Sequence, residues 1–156
     1  MREFKFSEVD RRLSTDPVWH RVLALARERS TLLSASKLAN LYLILRCGLD
    51  GERNVIEFGS FRGGSAIFMA SILRDLGSES KVFALDTYAG MPPTDATRDV
   101  HREGEFADCD YAGLHSLLVR QGLADQCLTI QGRFAETLPN LLSSGTRFAR
   151  LLPWGI

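Results

Sequence analysis

The chain has 156 residues, of which 45% are hydrophobic and 24% are charged, and this composition predicts one globular domain. Its 19 basic and 19 acidic residues give a formal net charge of +0, which argues against general affinity for nucleic acid or an anionic membrane. No apolar run approaches the roughly 20 residues that cross a bilayer, and the charged N-terminus has no secretory apolar core, so we expect a cytoplasmic protein.

Two helices are predicted within the first 50 residues, whereas residues 1–15 show no clear period. Asp16 and Pro17 are typical of the cap and first position of a helix, and an apolar stripe follows them. A second helix is predicted over 34–47, with Gly48 ending it. Cys47 in this helix and Cys127 further on lie in apolar segments, so we expect both to be buried.

A strand, a glycine-rich turn and a helix follow one another from residue 54, in NVIEFGSFRGGS and the apolar run after it. The apolar residues 55–58 predict a short buried strand, and the helix begins at Ser65. A second strand is predicted over 81–86, with Asp86 at its carboxyl end. This order is typical of a parallel βαβ unit, whose ligands bind at the carboxyl ends of the strands.

Residues 87–110 show no sustained period and are interrupted by glycine and proline. A connection of this length inside a compact domain is usually functional, so we interpret it as a lid. His101 and Asp108 are its candidates for catalysis. The remaining predicted elements are a helix over 110–121, a strand over 127–131, a helix over 135–142 and a fourth strand over 147–152.

Three kinds of glycine turn compete for residues 57–65. A phosphate-binding P-loop needs a lysine after its last glycine, but Gly64 is followed by Ser65. The dinucleotide-binding turn needs a glycine where this chain has Phe61. The third pattern, acidic-x-Gly-x-x-x-Gly, matches EFGSFRG at 57–63 and is used for S-adenosylmethionine, which has no pyrophosphate.

The residue types around this turn suit that ligand. Gly59 and Gly63 would let the ligand approach the backbone closely, and Glu57 would organise groups around its ammonium. Asp86 would accept hydrogen bonds from both ribose hydroxyls, and residues 132–134 would flank the adenine. The alternative for Glu57 is a strand-end carboxylate paired with a nearby cation.

Four segments together resemble the macrocin O-methyltransferase group of class I S-adenosylmethionine-dependent methyltransferases. They are VIEFGSFRGGSA, ALDTYAGMPP, GEFADCDYAGLHSLLVRQGL and QGRFAETLP, in the order and spacing of the family. The resemblance implies a Rossmann-like α/β fold, a parallel sheet with helices on both faces, of which about three to four strands are present. It divides the chain into an N-terminal helical cap at 1–50 and the first half of a cofactor-binding domain at 51–156.

The resemblance also implies a function, namely methyl transfer from S-adenosylmethionine to a hydroxyl of a sugar or natural-product acceptor, with Mg²⁺. The expected partner is therefore a small hydroxylated molecule, with no nucleic acid or membrane, and a homo-oligomer is compatible with the sequence. The candidate cofactor-binding residues are Glu57, Gly59, Ser60, Arg62, Gly63, Ser65, Asp86, Thr87, Arg133 and Phe134.

The sequence departs from the family in its last part. Family members carry an Asp-x-Asp-x-Tyr segment and a later Asp-Asp pair, which hold the metal and supply the base. Here no Asp or Glu follows Glu136, so we assign no metal ligand and no catalytic residue, and we expect a truncated chain with an open edge on its first strand. A non-catalytic cofactor-binding module or a truncated remnant is the alternative, and Phe61 disfavours a nicotinamide-dependent oxidoreductase.

Overall fold

The computed structural model describes residues 11–48, 53–95 and 97–148. Residues 11–14 are helical, and none of the helices in the described ranges is long and apolar enough to cross a membrane. The following elements are, in chain order, α1 Pro17–Glu28, α2 Ala35–Gly48, β1 Val55–Phe58, α3 Gly64–Asp75, β2 Val82–Asp86, α4 Tyr111–Arg120, β3 Cys127–Gln131 and α5 Phe134–Ser143.

The three strands form a parallel sheet in the order β1-β2-β3. Val82 lies opposite Val55 on one side and opposite Cys127 on the other, so β2 is the central strand. Parallel strands that start level with each other also end at the same edge, which places Phe58 beside the end of β2. The sheet therefore collects the strand-end turns at one edge, as the sequence predicted.

The outer side of β1 carries one further contact. Asn54 and Phe148 form an isolated parallel bridge, in which Asn54 N donates to Arg147 O at 2.9 Å. This is where the sequence predicts a fourth strand over 147–152, but most of that range lies outside the described residues.

Side chains alternate across β2 and bury two different faces. Val82 and Ala84 belong to the larger core, which α1, α2, α3 and α4 cover. Phe83 and Leu85 point to a smaller core on the opposite face, where Leu141 of α5 packs. Helices thus lie on both faces of a parallel sheet, which confirms the predicted α/β class for the described part of the chain.

The N-terminal helices share the larger core with the first βα unit. α1 begins where the sequence predicted, because the Asp16 carboxylate accepts from Val18 N at 2.8 Å and Pro17 occupies the first position. Trp19 then packs edge-to-face on Phe68 of α3, with ring centroids 6.0 Å apart. The predicted boundary near residue 50 falls outside the described residues.

The two cysteines that were expected to be buried differ. Cys127 is buried in β3, and this burial raises the pKa of its thiol to about 12. Cys47 is exposed, so that prediction was wrong. The buried side of α2 contains Leu45, and two further positions turn the helix by about 200°, which points Cys47 away from the core.

Two adjacent glycines allow α3 to start in close contact with α1 and α4. A Cβ on Gly63 would lie 2.5 Å from Leu114 of α4, and a Cβ on Gly64 would lie 2.8 Å from the carbonyl oxygen of Ala26 in α1. Gly63 also has a φ of 77°. We expected Gly63 to leave room for a ligand, but the structure shows a packing reason for this glycine.

We predict that Gly63→Ala destabilises the fold by about 1–3 kcal/mol, because the new methyl group overpacks against buried Leu114. Gly145→Ala is the matched control, since Gly145 has a φ of 75° and a Cβ there would meet nothing within 4 Å. Chemical denaturation measures both variants. Equal losses would mean that backbone strain alone, and no contact with Leu114, explains the effect.

Candidate functional site

Two backbone amides of the turn after β1 donate hydrogen bonds to the end of β2. Gly59 N donates to Leu85 O at 2.9 Å, and Phe61 N donates to the Asp86 carboxylate at 2.7 Å. Gly59 has a φ of 77°, and a Cβ built on it would meet nothing within 4 Å. The turn therefore presents open space beside its backbone at Gly59, close to Asp86.

Asp86 is held by two backbone amides. Its Oδ2 accepts from Phe61 N at 2.7 Å, and its Oδ1 accepts from Tyr88 N at 2.9 Å. Thr87 Oγ1 also lies 3.4 Å from Oδ1, and a carboxylate has about four lone-pair sites, so Oδ2 retains the capacity to accept from a ligand. The amides thus fix the position of the carboxylate without saturating it.

Two neighbouring cavities open at this edge of the sheet, and both are lined by Leu32, Gly59 and Phe61. The first, of about 190 Å³, also contains the candidate residues Glu57, Ser60, Arg62 and Ser65. The second, of about 250 Å³, also contains the candidate residues Asp86, Thr87 and Phe134. The structure therefore brings eight of the ten candidate residues to these cavities, whereas Gly63 and Arg133 line neither of the two.

Arg133 lies directly before the cavity residue Phe134, at the start of α5. Its carbonyl oxygen accepts from Thr137 N at 2.9 Å, and its side chain is exposed. Phe134 instead stacks edge-to-face on Phe58, with centroids 5.2 Å apart. The aromatic residue of this pair is therefore the one that contributes to a cavity wall.

Glu57 is a half-buried acid that lines the first cavity. Its carboxylate accepts from Ser60 Oγ at 2.7 Å. Burial raises its pKa above the usual 4.5, hydrogen bonds from Ser65 and Ser60 oppose this rise, and the charge of Asp86 adds to it. No cation of the described residues forms an ion pair with it, so the alternative role as an ion-pair partner finds no support there.

The long connection between β2 and α4 forms a wall of the second cavity. Its two halves pair through Met91 N, which donates to Glu105 O at 2.8 Å, and Gly104 N, which donates to Met91 O at 3.0 Å. Phe106 then packs edge-to-face on Phe61, with centroids 5.6 Å apart. Met91 and Phe106 both line the cavity, so the segment contributes directly to the site.

The two residues of this segment that we considered for catalysis lie outside both cavities. His101 is exposed, with Nδ1 2.9 Å from a carboxylate oxygen of Glu105. Asp108 is exposed and forms an ion pair with Arg62. Neither side chain lines a cavity wall, so the geometry gives neither a role in the chemistry.

Several cavity-lining residues were not among the ten candidates, and two of them come from the N-terminal part of the chain. Leu32, in the connection between α1 and α2, lines both cavities while 69% of it is exposed to solvent. Arg29, at the end of α1, is buried and donates from Nε to Arg62 O at 2.8 Å. An apolar Leu32 outside any helical stripe was a weak signal, but Arg29 offered none.

The described residues do not fit the Mg²⁺ that the resemblance implies. Within 11–48, 53–95 and 97–148, no group of three or more His, Cys, Asp or Glu side chains could hold a metal ion. We therefore derive no chemistry through a metal.

A profile of the macrocin-O-methyltransferase (TylF) family matches residues 8–151 of this chain. The chain belongs to this family. It is 30% identical over 122 residues to the 8-demethyl-8-(2,3-dimethoxy-alpha-L-rhamnosyl)-tetracenomycin-C 4'-O-methyltransferase of Streptomyces olivaceus, a match that covers 70% of the chain and 46% of the relative. It is 31% identical over 124 residues to the mycinamicin III 3''-O-methyltransferase of Micromonospora griseorubida, covering 70% and 48%.

Solved methyltransferase structures share the fold. The O-methyltransferase NovP aligns with a TM-score of 0.60 and 23% identity over 70% of this chain and 50% of its own. The calicheamicin methyltransferase CalS11 aligns with a TM-score of 0.57 and 19% identity over 89% of this chain and 60% of its own. The chain thus spans about half the length of the curated relatives that it matches.

We predict that Glu57→Gln changes how stability depends on pH. Because the folded-state pKa of Glu57 is raised, its favourable contribution is complete below the unfolded pKa and is lost as pH rises through the folded pKa. Glutamine does not ionise, and it can still accept from Ser60 Oγ. The melting temperature of the variant minus that of the wild type, measured by calorimetry, should therefore increase from pH 4 to pH 8, and a constant difference would contradict this.

Proposed function

We propose that this chain binds S-adenosylmethionine at the turn 59–63 and Asp86, and that it serves methyl transfer to a hydroxyl of a small-molecule acceptor. The observation that carries the proposal is the open space at Gly59 next to a fixed carboxylate at the carboxyl edge of a parallel sheet. Membership of an O-methyltransferase family supports the same reaction.

The two cavities differ in a way that suits the two ends of this cofactor. In the second cavity, Asp86 has free acceptor capacity for ribose hydroxyls, and Phe134 offers an apolar surface for adenine. In the first cavity, Glu57, Ser60 and Ser65 offer polar groups for the charged amino-acid end. Each cavity alone is smaller than the roughly 300–1,000 Å³ of ordinary ligand pockets, and their shared wall at Gly59 suits one ligand spanning both.

The bound cofactor supplies an electrophilic methyl group on a sulfonium centre. The residues of this chain would hold and orient it, because the amides that fix Asp86 fix where the ribose lies. Phe61 and Phe106, in edge-to-face contact, would exclude water on the side of the long connection. We infer that the N-terminal residues 1–50 act as a cap, since Leu32 already lines both cavities.

The acceptor is proposed to be a sugar hydroxyl on a natural product. The two curated relatives are named as methyltransferases acting at the 4' position of a rhamnosyl-tetracenomycin and the 3'' position of mycinamicin III. Both names specify one position for O-methylation, and the first names a rhamnosyl sugar. A related hydroxylated acceptor is therefore the first class to test.

A second candidate is cofactor binding without turnover. It is favoured by the placement of His101 and Asp108 outside the two cavities and by the lack of a metal-binding group among residues 11–48, 53–95 and 97–148. Binding of S-adenosylhomocysteine, together with no methyl transfer from labelled S-adenosylmethionine to glycosylated acceptors, would support this candidate.

We predict that Asp86→Asn weakens S-adenosylhomocysteine binding by about 1.5–3 kcal/mol, because hydrogen bonds to a carboxylate are replaced by weaker ones. Titration calorimetry measures the affinity. Asp125→Asn is the control, since it makes the same change at an exposed position between α4 and β3 that lines neither cavity.

An unchanged affinity of the Asp86 variant would remove this residue from the site. Tight binding of NADH by the wild type, with no binding of S-adenosylhomocysteine, would instead support a nicotinamide-dependent enzyme. A thermal melt of each variant separates lost affinity from lost structure, because Asp86 also holds Phe61 N and Tyr88 N.

A further inference from the structure

The Arg29 guanidinium connects three separate parts of the chain. Its Nε donates to Arg62 O in the turn at 2.8 Å. Its two terminal nitrogens donate to Cys109 O at 3.1 Å, to Asp110 O at 2.9 Å and to the Asp110 carboxylate at 2.9 Å. Four of the five N–H groups of the Arg29 guanidinium thus donate a hydrogen bond, and the side chain is only 10% exposed.

A second arginine completes a closed set of contacts between the turn and the long connection. The carbonyl of Arg62 is held by Arg29, while the Arg62 Nε donates to Asp108 O at 2.9 Å and its guanidinium forms an ion pair with the Asp108 carboxylate. The end of the connection is therefore attached to the turn through Asp108 and to α1 through Asp110.

The start of the connection is attached to the same turn. Asp86 directly precedes the connection, and its carboxylate accepts from Phe61 N at 2.7 Å. Between the two attachment points, Met91 and Phe106 form part of the wall of the second cavity. The position of this wall relative to the turn is thus set at one end by Asp86 and at the other by Arg29 with Arg62.

We propose that Arg29 is a positioning residue, which fixes the segment 104–110 against the turn 59–63 and so sets the width of the second cavity. The cavity's role in binding cofactor rests on the function proposed above. Arg29 lines the first cavity, but its N–H groups donate to backbone and carboxylate oxygens of the protein. It therefore acts by holding the cavity walls in place and not by contacting the cofactor. α1 thereby contributes to the site through a contact made outside the sheet.

The geometry requires arginine in particular. Lysine keeps the charge but has three donors on a single nitrogen, so it cannot reproduce the four bonds that Arg29 makes from three nitrogens. Arg29→Lys therefore removes the connection while preserving the net charge. Arg27→Lys, the same change at an exposed position of α1, is the matched control.

The test measures backbone amide hydrogen exchange and S-adenosylhomocysteine affinity in both variants. In Arg29→Lys, amides of 104–110 should exchange about tenfold faster or more, and affinity should fall about tenfold, while Arg27→Lys matches the wild type in both. Amides of β2, Val82–Asp86, report global stability in the same experiment. The proposal requires the acceleration at 104–110 to exceed that at β2.

Equal acceleration at 104–110 and β2, or none at either, would overturn the positioning role. Faster exchange at 104–110 with unchanged affinity would overturn the link to cavity width. If the wild type does not bind S-adenosylhomocysteine, the proposed function fails, and hydrogen exchange still decides whether Arg29 fixes the segment.

Discussion

The hydrogen bond from Phe61 N to Asp86 joins the end of the first strand to the end of the second, and the geometry of the site follows from it. The bond holds residues 59–63 against the end of β2, where Gly59 N also donates to Leu85 O. Because the same carboxylate accepts from Tyr88 N, it also directs the chain into the long connection. The Asp86 carboxylate therefore fixes both the turn and the start of the long connection, whose far end Arg29 and Arg62 hold.

The two glycines of the turn and the glycine that begins α3 are needed for different physical reasons. Gly59 combines a left-handed conformation with open space, which is what a closely approaching ligand requires. Gly63 and Gly64 face Leu114 and Ala26, so their missing side chains allow helices to approach the start of α3. A motif written only as spaced glycines does not separate these reasons, and only Gly59 supports ligand contact directly.

Local signals allowed the sequence to predict most of the fold. Asp16 and Asp110 cap α1 and α4 through their side chains, as predicted, and the predicted strand over 127–131 coincides with β3. Long-range contacts could not be predicted in this way. Arg29 bonds to residues 33 and 81 positions away, and nothing next to it in the chain marks it as a buried cation.

Within the described part of the chain, the two cavities are lined by residues between the end of α1 and the first turn of α5. Arg29, Asp86 and Phe134 hold or line the walls, and each is in place within the described residues. His101 and Asp108 line neither cavity and are engaged with Glu105 and Arg62, so the described walls are formed without a residue assigned to activate an acceptor hydroxyl. The proposed cofactor binding and the proposed methyl transfer therefore each have to be measured separately.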